Sequence, residues 1–364
     1  MDPSNYALPP GSRILVTGAN GYIGAHVVDQ LLALGYTVRG TLRTDKPWLN
    51  EFFATKYAPN SFETALIRSF DNQDEIERAL EGVDGLIHLA SDVSFNDDPN
   101  AVIPWVVQAT QDLLKAASRR SSIKRVILAS SSTATYLTWP DPNGRTLNAS
   151  ECSAKLLFAG SAQNRTVCLT IYTDTWNDAA ITAAWDENTD PQKKAMIVYS
   201  ASKTEGERQA WAWIEENRPS FVFNSVLPCF NVGRYLHPEI AGSTMSFVCQ
   251  LLKGDASAFM LPEQWRVDVE DTARLFVIAL LHPGVESERI FAFGESTHWA
   301  DVVAMLRTLR PENKSIPDVP AGIPRDNTIV GPRERAEGLL RSFYGVDGFT
   351  SIQESIQKGI AGLE

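Results

Sequence analysis

The chain has 364 residues, of which 44% are hydrophobic and 21% charged, as is ordinary for a globular protein with a large core. Its net charge of −11 argues against nucleic acid or an anionic membrane surface as a partner. Four cysteines without CxxC spacing favour free thiols, and the N-terminus lacks the basic and apolar segments of a secretory signal. We therefore expect a cytoplasmic protein.

Apolar runs alternate with helical segments from the N-terminus onward. Strands are predicted at 13–17, 36–41, 63–67, 85–90 and 125–129, and helices at 22–34, 74–80 and 101–118. Regular alternation of this kind predicts an α/β fold with a doubly wound parallel sheet of the Rossmann type.

The alternation stops after the fifth predicted strand. Clusters of Pro, Gly, Asn and Asp predict an irregular insertion over about 137–192. A helix is then predicted from Tyr199 to Glu216 and a strand over 222–227. We expect a dinucleotide-binding domain at 1–227 and a smaller substrate-binding domain at 228–364, from which one segment can return to the sheet.

Three glycines lie between the first predicted strand and the first predicted helix. Gly18 permits a tight turn, Gly21 lets the backbone approach a pyrophosphate, and Gly24 lets helix and strand pack closely. The N-terminus of the helix supplies free N–H groups for the phosphates. A glycine triplet alone is a weak indication, but its position in a strand–helix–strand unit predicts dinucleotide binding.

The end of the second strand distinguishes NAD from NADP. No acidic residue stands there to bind the ribose 2′-OH, whereas Arg39 and Arg43 flank the strand end. Arg43 is suited to fork a 2′-phosphate, and Lys46 adds a second positive charge. The alternative is that these cations are solvated surface residues, and Asp45 keeps NAD open. The pattern favours NADP(H).

A candidate catalytic pair lies at the start of the predicted helix. Tyr199 and Lys203 are four residues apart, so both side chains lie on one face of the helix. A nearby ammonium lowers the pKa of a phenol, which suits tyrosine to donate a proton near neutral pH. Ser130, Ser131 and Ser132 follow the fifth strand, where one hydroxyl can bind a substrate carbonyl while the others cap the turn.

These segments together resemble a known family. TGANGYIG at 17–24, the serine cluster, YSASK at 199–203 and VDVED at 267–271 are similar to the extended short-chain dehydrogenase/reductases. VRGTLR at 38–43, IHLAS at 87–91, RVILASS at 125–131 and DTWN at 174–177 narrow the resemblance to the dihydroflavonol-reductase-like branch. The chain most resembles fungal aldehyde and ketone reductases of the Sporobolomyces carbonyl reductase type.

The resemblance implies a role for each matching residue. Ser131 would polarise the carbonyl, and Ser132 is its possible substitute because the serine cluster aligns ambiguously by one position. Tyr199 would donate the proton, and Lys203 would activate Tyr199. The cofactor-binding residues implied are Gly18, Asn20, Gly21, Tyr22, Ile23, Gly24, Arg43, Lys46, Ala90, Ser91 and Pro228.

The chain departs from these relatives at three places. Ser69 stands where they have an aspartate facing the adenine, and Cys229 replaces the usual asparagine after the LP of the nicotinamide segment. The connection from Ser131 to Tyr199 is about twenty residues longer, with the extra residues near Asp141 to Thr170; a substrate lid, an oligomer contact or a disordered loop would all account for them.

The main hypothesis is NADPH-dependent reduction of an aldehyde or ketone. An NAD-dependent nucleotide-sugar epimerase or dehydratase and a non-catalytic dinucleotide sensor are the alternatives. We expect a small-molecule carbonyl substrate, no metal, no nucleic acid or membrane partner, and a monomer or homodimer. His88 is predicted to be a core residue. Candidates for the substrate pocket, for which core packing is at least as good an explanation, are Phe95, Trp139, Trp176, Phe230 and Trp265.

Overall fold

The computed structural model describes residues 1–137, 156–159, 166–240 and 243–363, and only the backbone of residues 156–159, 166–169 and 243. Its helices are α1 (Tyr22–Ala33), α2 (Pro47–Lys56), α3 (Gln73–Ala79), α4 (Pro99–Ser118), α5 (Asp178–Trp185), α6 (Pro191–Asn217), α7 (Ser243–Leu252), α8 (Val269–Leu281), α9 (Trp299–Leu309), α10 (Arg333–Tyr344) and α11 (Ile352–Gly359). Its strands are β1 (Arg13–Thr17), β2 (Thr37–Leu42), β3 (Phe62–Leu66), β4 (Gly85–His88), β5 (Arg125–Ala129), β6 (Leu156–Ala159), β7 (Thr166–Ile171), β8 (Val222–Pro228), β9 (Phe230–Val232), β10 (Trp265–Asp268), β11 (Arg289–Ala292), β12 (Glu295–Ser296) and β13 (Ile329–Val330).

Seven strands form one parallel sheet in the order β11-β8-β5-β4-β1-β2-β3. The chain order reverses between β1 and β4, and doubly wound sheets bind ligands outside the carboxyl ends of the strands at such a reversal. This topology confirms the predicted Rossmann-type α/β fold.

The sheet is covered on both faces because its strands alternate their side chains. Ile14 and Val16 pack in one core cluster with α1, α2, α8 and α10, whereas Leu15 packs in the other with α3, α4 and α6. A parallel sheet buried in this way has apolar runs rather than an alternating pattern, which is why its strands were recognisable from the sequence.

Much of the chain after residue 227 packs on this sheet. Strand β11 pairs with β8 at the sheet edge, and the apolar helix α8 lies in the same core cluster as α1. A second cluster around Trp299 and Met245 joins α7, α9 and α11, beside a small sheet of β12, β10 and β9. One segment thus returns to the central sheet; the boundary at 227 stays a prediction.

The stretch 137–192 contains more regular structure than its composition predicts. Backbone pairing joins β6 to β7 in an antiparallel hairpin, and β7 pairs with β13 near the C-terminus. Asn177 caps α5 through its side chain, so one of the residues taken as a loop marker is a helix start. Trp139 and most of the predicted insertion at 141–170 lie outside the described residues.

Helix α6 begins at Pro191, eight residues before the predicted start at Tyr199. Asp190 accepts a hydrogen bond from the Gln192 N–H, and Pro191 occupies the first helical turn, where its missing N–H has no cost. The prediction was wrong because an Asp-Pro pair was taken as loop. Tyr199 therefore lies in the interior of a 27-residue helix, where its backbone is held on both sides.

We expect Leu280→Ala to lower the free energy of unfolding by about 2–5 kcal/mol, because the fully buried Leu280 of α8 packs beneath Gly85 of β4. Met260→Ala, at a side chain that is 73% exposed, is the control and should change it by less than about 0.5 kcal/mol. Denaturant unfolding measures both, and equal effects would contradict the packing described.

Candidate functional site

The glycine turn between β1 and α1 has the geometry that a nucleotide cradle requires. Gly18 has a φ of +69°, a left-handed conformation that other residues rarely adopt. A Cβ atom on Gly24 would lie 2.1 Å from the Gly18 carbonyl oxygen, and one on Gly21 would lie 3.2 Å from it. The turn is therefore closed tightly against the start of α1, and only glycine fits at position 24.

The start of α1 leaves N–H groups directed at this turn. Gly21 is the N-cap, so the N–H groups of Tyr22, Ile23 and Gly24 have no partner within the helix. The Tyr22 side chain points elsewhere, since its hydroxyl donates to the Gly233 carbonyl oxygen at 2.7 Å. Asn20 is half-buried beside the turn. The backbone of these residues, more than their side chains, is arranged to bind an anion.

The serine cluster, Tyr199 and Lys203 come together at the carboxyl end of β5. A hydrogen bond from Ser131 lowers the pKa of Tyr199, which places the two hydroxyls next to each other. The Lys203 ammonium donates to the Ala129 carbonyl oxygen at 3.3 Å. Thr133 donates to the Ser131 oxygen from its N–H at 3.2 Å and from its hydroxyl at 3.0 Å, which orients that serine.

Ser132 occupies a different position from Ser131. It begins a short 3-10 turn, Ser132–Ala134, for which Ser131 is the N-cap. The hydrogen bond that affects Tyr199 is made by Ser131. Of the two serines left open by the sequence, Ser131 is the one in contact with the tyrosine.

Burial shifts the pKa of both titratable members of this group. Burial raises the pKa of Tyr199, and the hydrogen bond from Ser131 opposes that shift. Burial lowers the pKa of Lys203 to about 8, and the charge of Glu207 opposes the shift. Near neutral pH Tyr199 therefore retains its proton while most of the Lys203 side chains remain charged.

Arg43 directly follows β2 and is exposed. Within the described ranges no hydrogen bond or ion pair is found for its guanidinium, and Lys46 lies half-buried at the N-cap of α2. Arg39, the other predicted cation, is engaged: it donates to Glu63 at 2.7 Å and to the carbonyl oxygens of Ala79 and Glu81 at 2.8 Å. Arg43 is thus the arginine at this strand end with its donors available.

The end of β4 is fastened to the end of β1 by a threonine that the sequence did not single out. The Thr17 hydroxyl oxygen accepts the N–H groups of Leu89 and Ala90, each at 3.0 Å, and lies 2.8 Å from His88 Nδ1. The threonine proton must therefore go to Nδ1, which places the histidine proton on Nε2. Burial lowers the pKa of His88 to about 3, so the ring is neutral and structural.

A small cavity follows the carboxyl ends of β4 and β5. Its volume is about 20 Å³, which is room for about one water molecule. Ala90 and Ser91 line it together with His88, Lys203 and Glu207. Pro228, the last predicted cofactor neighbour, is buried at the end of β8.

The aromatic candidates for a substrate pocket separate into different environments. Phe95 is 46% exposed, and its ring lies 5.1 Å from that of Tyr199. Trp176 lies 3.9 Å from the Arg289 guanidinium, Trp265 packs against Phe293, and Phe230 belongs to a core cluster. Phe95 is thus the described aromatic candidate with a ring against the tyrosine.

Two departures from the relatives have structural counterparts. The Ser69 hydroxyl donates to the Asp71 carboxylate at 2.9 Å, so a carboxylate does lie after β3 although not at the expected position. Cys229 is buried and unpaired, and burial raises the pKa of its thiol. It therefore contributes packing rather than a reactive thiolate.

Sequence reasoning missed Glu207, a buried carboxylate one turn after Lys203. It accepts hydrogen bonds from Ser130 at 2.7 Å and Ser225 at 2.6 Å, and it pairs with Arg289 at 2.8 Å. Its spacing of four from Lys203, on a face otherwise made of small residues, was the available indication.

Comparison with known proteins identifies the family. Residues 14–152 match the NAD dependent epimerase/dehydratase family. The chain is 42% identical to a ketoreductase of Penicillium roqueforti, over 98% of each chain. It is 34% identical to aldehyde reductase 2 of Sporidiobolus salmonicolor, over 99% of this chain and 98% of that one. The chain belongs to the extended short-chain dehydrogenase/reductase family, among its ketoreductases and aldehyde reductases.

Solved structures share this fold. The yeast methylglyoxal/isovaleraldehyde reductase Gre2, crystallised with NADPH, superposes with a TM-score of 0.73 at 21% identity, covering 95% of this chain and 96% of that one. The two relatives above 30% identity confirm the family resemblance drawn from the sequence motifs. No helix in the described part of this family member is long and apolar enough to cross a membrane.

We expect Gly24→Ala to destabilise the protein by about 1–3 kcal/mol, since the added methyl group would overlap the Gly18 carbonyl oxygen. Gly338→Ala is the matched control, because nothing lies within 4 Å of a Cβ at this position in α10. The control should stabilise by about 0.5–1 kcal/mol through helix propensity. Opposite signs in thermal unfolding would support the close approach; a neutral Gly24→Ala variant would contradict it.

Proposed function

We propose that this protein reduces an aldehyde or ketone to an alcohol with NADP(H), using Ser131, Tyr199 and Lys203. The observation that supports this most directly is the contact between the Ser131 and Tyr199 hydroxyls at the carboxyl end of β5, where the Lys203 ammonium also donates to the Ala129 carbonyl oxygen. Two hydroxyls that converge at the carboxyl edge of a Rossmann sheet form a site for one carbonyl oxygen. The ketoreductase and aldehyde reductase among the relatives support the same reaction.

The residues present fit the dinucleotide. The turn of Gly18, Gly21 and Gly24 would hold its pyrophosphate on backbone N–H groups, and the available guanidinium of Arg43 would bind the 2′-phosphate that distinguishes NADP from NAD. Ala90, Ser91 and Pro228 would lie along it. When bound, NADPH supplies the hydride that the reduction requires.

The protein's own groups manage the oxygen of the substrate. Ser131 and Tyr199 hold the carbonyl oxygen and orient it, and Tyr199 gives its proton to that oxygen as the alcohol forms. The raised pKa of the buried Tyr199 keeps the proton in place until charge develops on the oxygen. The Lys203 ammonium then stabilises the phenolate that remains.

We also propose the partner, the cellular compartment and the oligomeric state of the enzyme. Its partner is a small carbonyl compound rather than nucleic acid or a membrane, in keeping with the net charge of −11. The free thiols of Cys229 and Cys249 suit a reducing compartment, and we propose a cytoplasmic monomer or homodimer.

Tyr199→Phe should lower kcat for NADPH-dependent reduction by about 10²–10⁴-fold, because the proton donor is lost. The Kd for NADPH should not change, since the hydroxyl is not among the groups proposed to hold the dinucleotide. Stopped-flow absorbance with a panel of aryl ketones, α-keto esters and aldehydes measures turnover, and fluorescence titration measures binding.

The two neighbouring serines give the internal control for this experiment. Ser131→Ala should lose far more turnover than Ser132→Ala, since Ser131 is in contact with Tyr199. A wild-type protein that binds NADPH without oxidising it would indicate a sensor. Tightly bound NAD that co-purifies with the protein would indicate an epimerase or dehydratase.

Arg43→Ala should reduce the preference for NADPH over NADH by about 10- to 100-fold. This is the loss in affinity expected when a hydrogen bond to a charged group is removed. The loss should appear in the KM for NADPH and leave that for NADH nearly unchanged. Lys253→Ala removes an exposed cation after α7 and serves as the charge control. Equal loss with both coenzymes would show that Arg43 does not contact the 2′-phosphate.

A further inference from the structure

Glu207 is the most heavily engaged carboxylate near the candidate site. It is 1% exposed and lies in α6, one turn beyond Lys203. Its two oxygens accept hydrogen bonds from three strands or strand ends and from its own helix. The donors are Ser130 at 2.7 Å, Ser225 at 2.6 Å, Arg289 at 2.8 and 2.9 Å and Trp211 at 3.3 Å.

The partner of this carboxylate is equally fixed. Arg289 of β11 also donates to the carbonyl oxygens of Thr173 at 2.6 Å and Thr175 at 2.9 Å. Its guanidinium lies 3.9 Å from the ring of Trp176. A buried ion pair contributes little net stability compared with an apolar pair of the same size. In this pair both carboxylate oxygens of Glu207 are nevertheless fully hydrogen-bonded. We therefore interpret the pair as fixing the local geometry rather than as stabilising the fold.

The position of Glu207 relates the two halves of the candidate site. Ser130 precedes Ser131 in the chain, so the Ser130–Glu207 hydrogen bond ties the serine end of β5 to α6. Tyr199 and Lys203 lie on that same helix, about two turns and one turn before Glu207, respectively. The carboxylate therefore sets how far the carbonyl-binding serine lies from the proton donor.

Glu207 and Lys203 both line the small cavity at the carboxyl ends of β4 and β5. The groups around the Lys203 ammonium are the Ala129 carbonyl oxygen, the neutral His88 and this carboxylate. Among them Glu207 has the only full negative charge near neutral pH, within the described part of the chain. Arg289 holds the pKa of Glu207 below its usual range despite burial, so the charge persists.

We propose that Glu207 is a positioning residue for the reduction: it fixes Ser131 relative to Tyr199 and keeps Lys203 charged. The proposal rests on the proposed function, because it assigns no chemistry to Glu207 itself. The active form has a protonated Lys203, so turnover falls as pH rises through the pKa of this lysine, near 8 in the wild type. Loss of the Glu207 charge moves that fall to lower pH.

Glu207→Gln is the direct test, because it preserves the shape of the side chain and removes the charge. The pH profile of kcat should shift its alkaline midpoint about one to two pH units lower, with the KM for the carbonyl substrate changed less than twofold. Glu205→Gln is the matched control on α6, where the carboxylate is partly exposed and lies 3.6 Å from Arg208. The control should keep the wild-type profile.

The single variant has two effects: it removes the charge of Glu207 and it leaves Arg289 buried without its partner. A second variant separates these effects. In the double variant Glu207→Gln/Arg289→Gln no buried guanidinium remains without its partner. A persistent shift of the alkaline midpoint to lower pH in the double variant supports the proposal even if the single variant does not fold. A return to the wild-type midpoint overturns it, as does a uniform loss of kcat at every pH, which a purely structural role predicts.

The two proposals fail in different ways. If the wild-type enzyme reduces no carbonyl compound, or Tyr199→Phe remains fully active, the proposed function is wrong. If the wild-type enzyme is active, Tyr199→Phe is inactive and both Glu207 variants keep the wild-type alkaline midpoint, the proposed function stands and the role of Glu207 is wrong.

Discussion

The parallel direction of the seven central strands is the constraint on which the remainder of the structure depends. Because every strand enters the sheet in the same sense, the residues after the strands meet along one edge. Thr17, His88, Ala129 and Pro228 end four neighbouring strands there. The connections must return across the faces, which places α1 and α8 on one side and α4 and α6 on the other.

Polar groups buried at that edge have little freedom, since a buried donor or acceptor without a partner is costly. Thr17 satisfies two N–H groups and a histidine nitrogen at once, and Glu207 gathers donors from β5, β8, β11 and α6. These networks join strands that are distant in the chain. They fix the end of β5 relative to α6, and with it the relative positions of the serine, tyrosine and lysine proposed as the catalytic group.

The sequence was informative where short-range physics decides the structure. The alternation of apolar runs with helical periods gave the sheet, because a buried parallel strand needs a continuous apolar segment. It was uninformative between 137 and 192, where the same Asp, Asn and Pro residues serve loops and helix starts alike. Asp190-Pro191 begins α6 and Asn177 caps α5, and only packing against α4 selects the helical outcome.

The sequence by itself determined the features that lie within one turn or one helix. These are the glycines at 18, 21 and 24 and the four-residue spacing of Tyr199 and Lys203. Such features depend on local backbone geometry, which the sequence specifies directly. Tertiary structure alone decided that Ser131 rather than Ser132 contacts Tyr199, that Arg39 is occupied by Glu63 while Arg43 is exposed, and that Glu207 meets Arg289. Each of these depends on which distant strand lies alongside, and no periodicity in the chain encodes that.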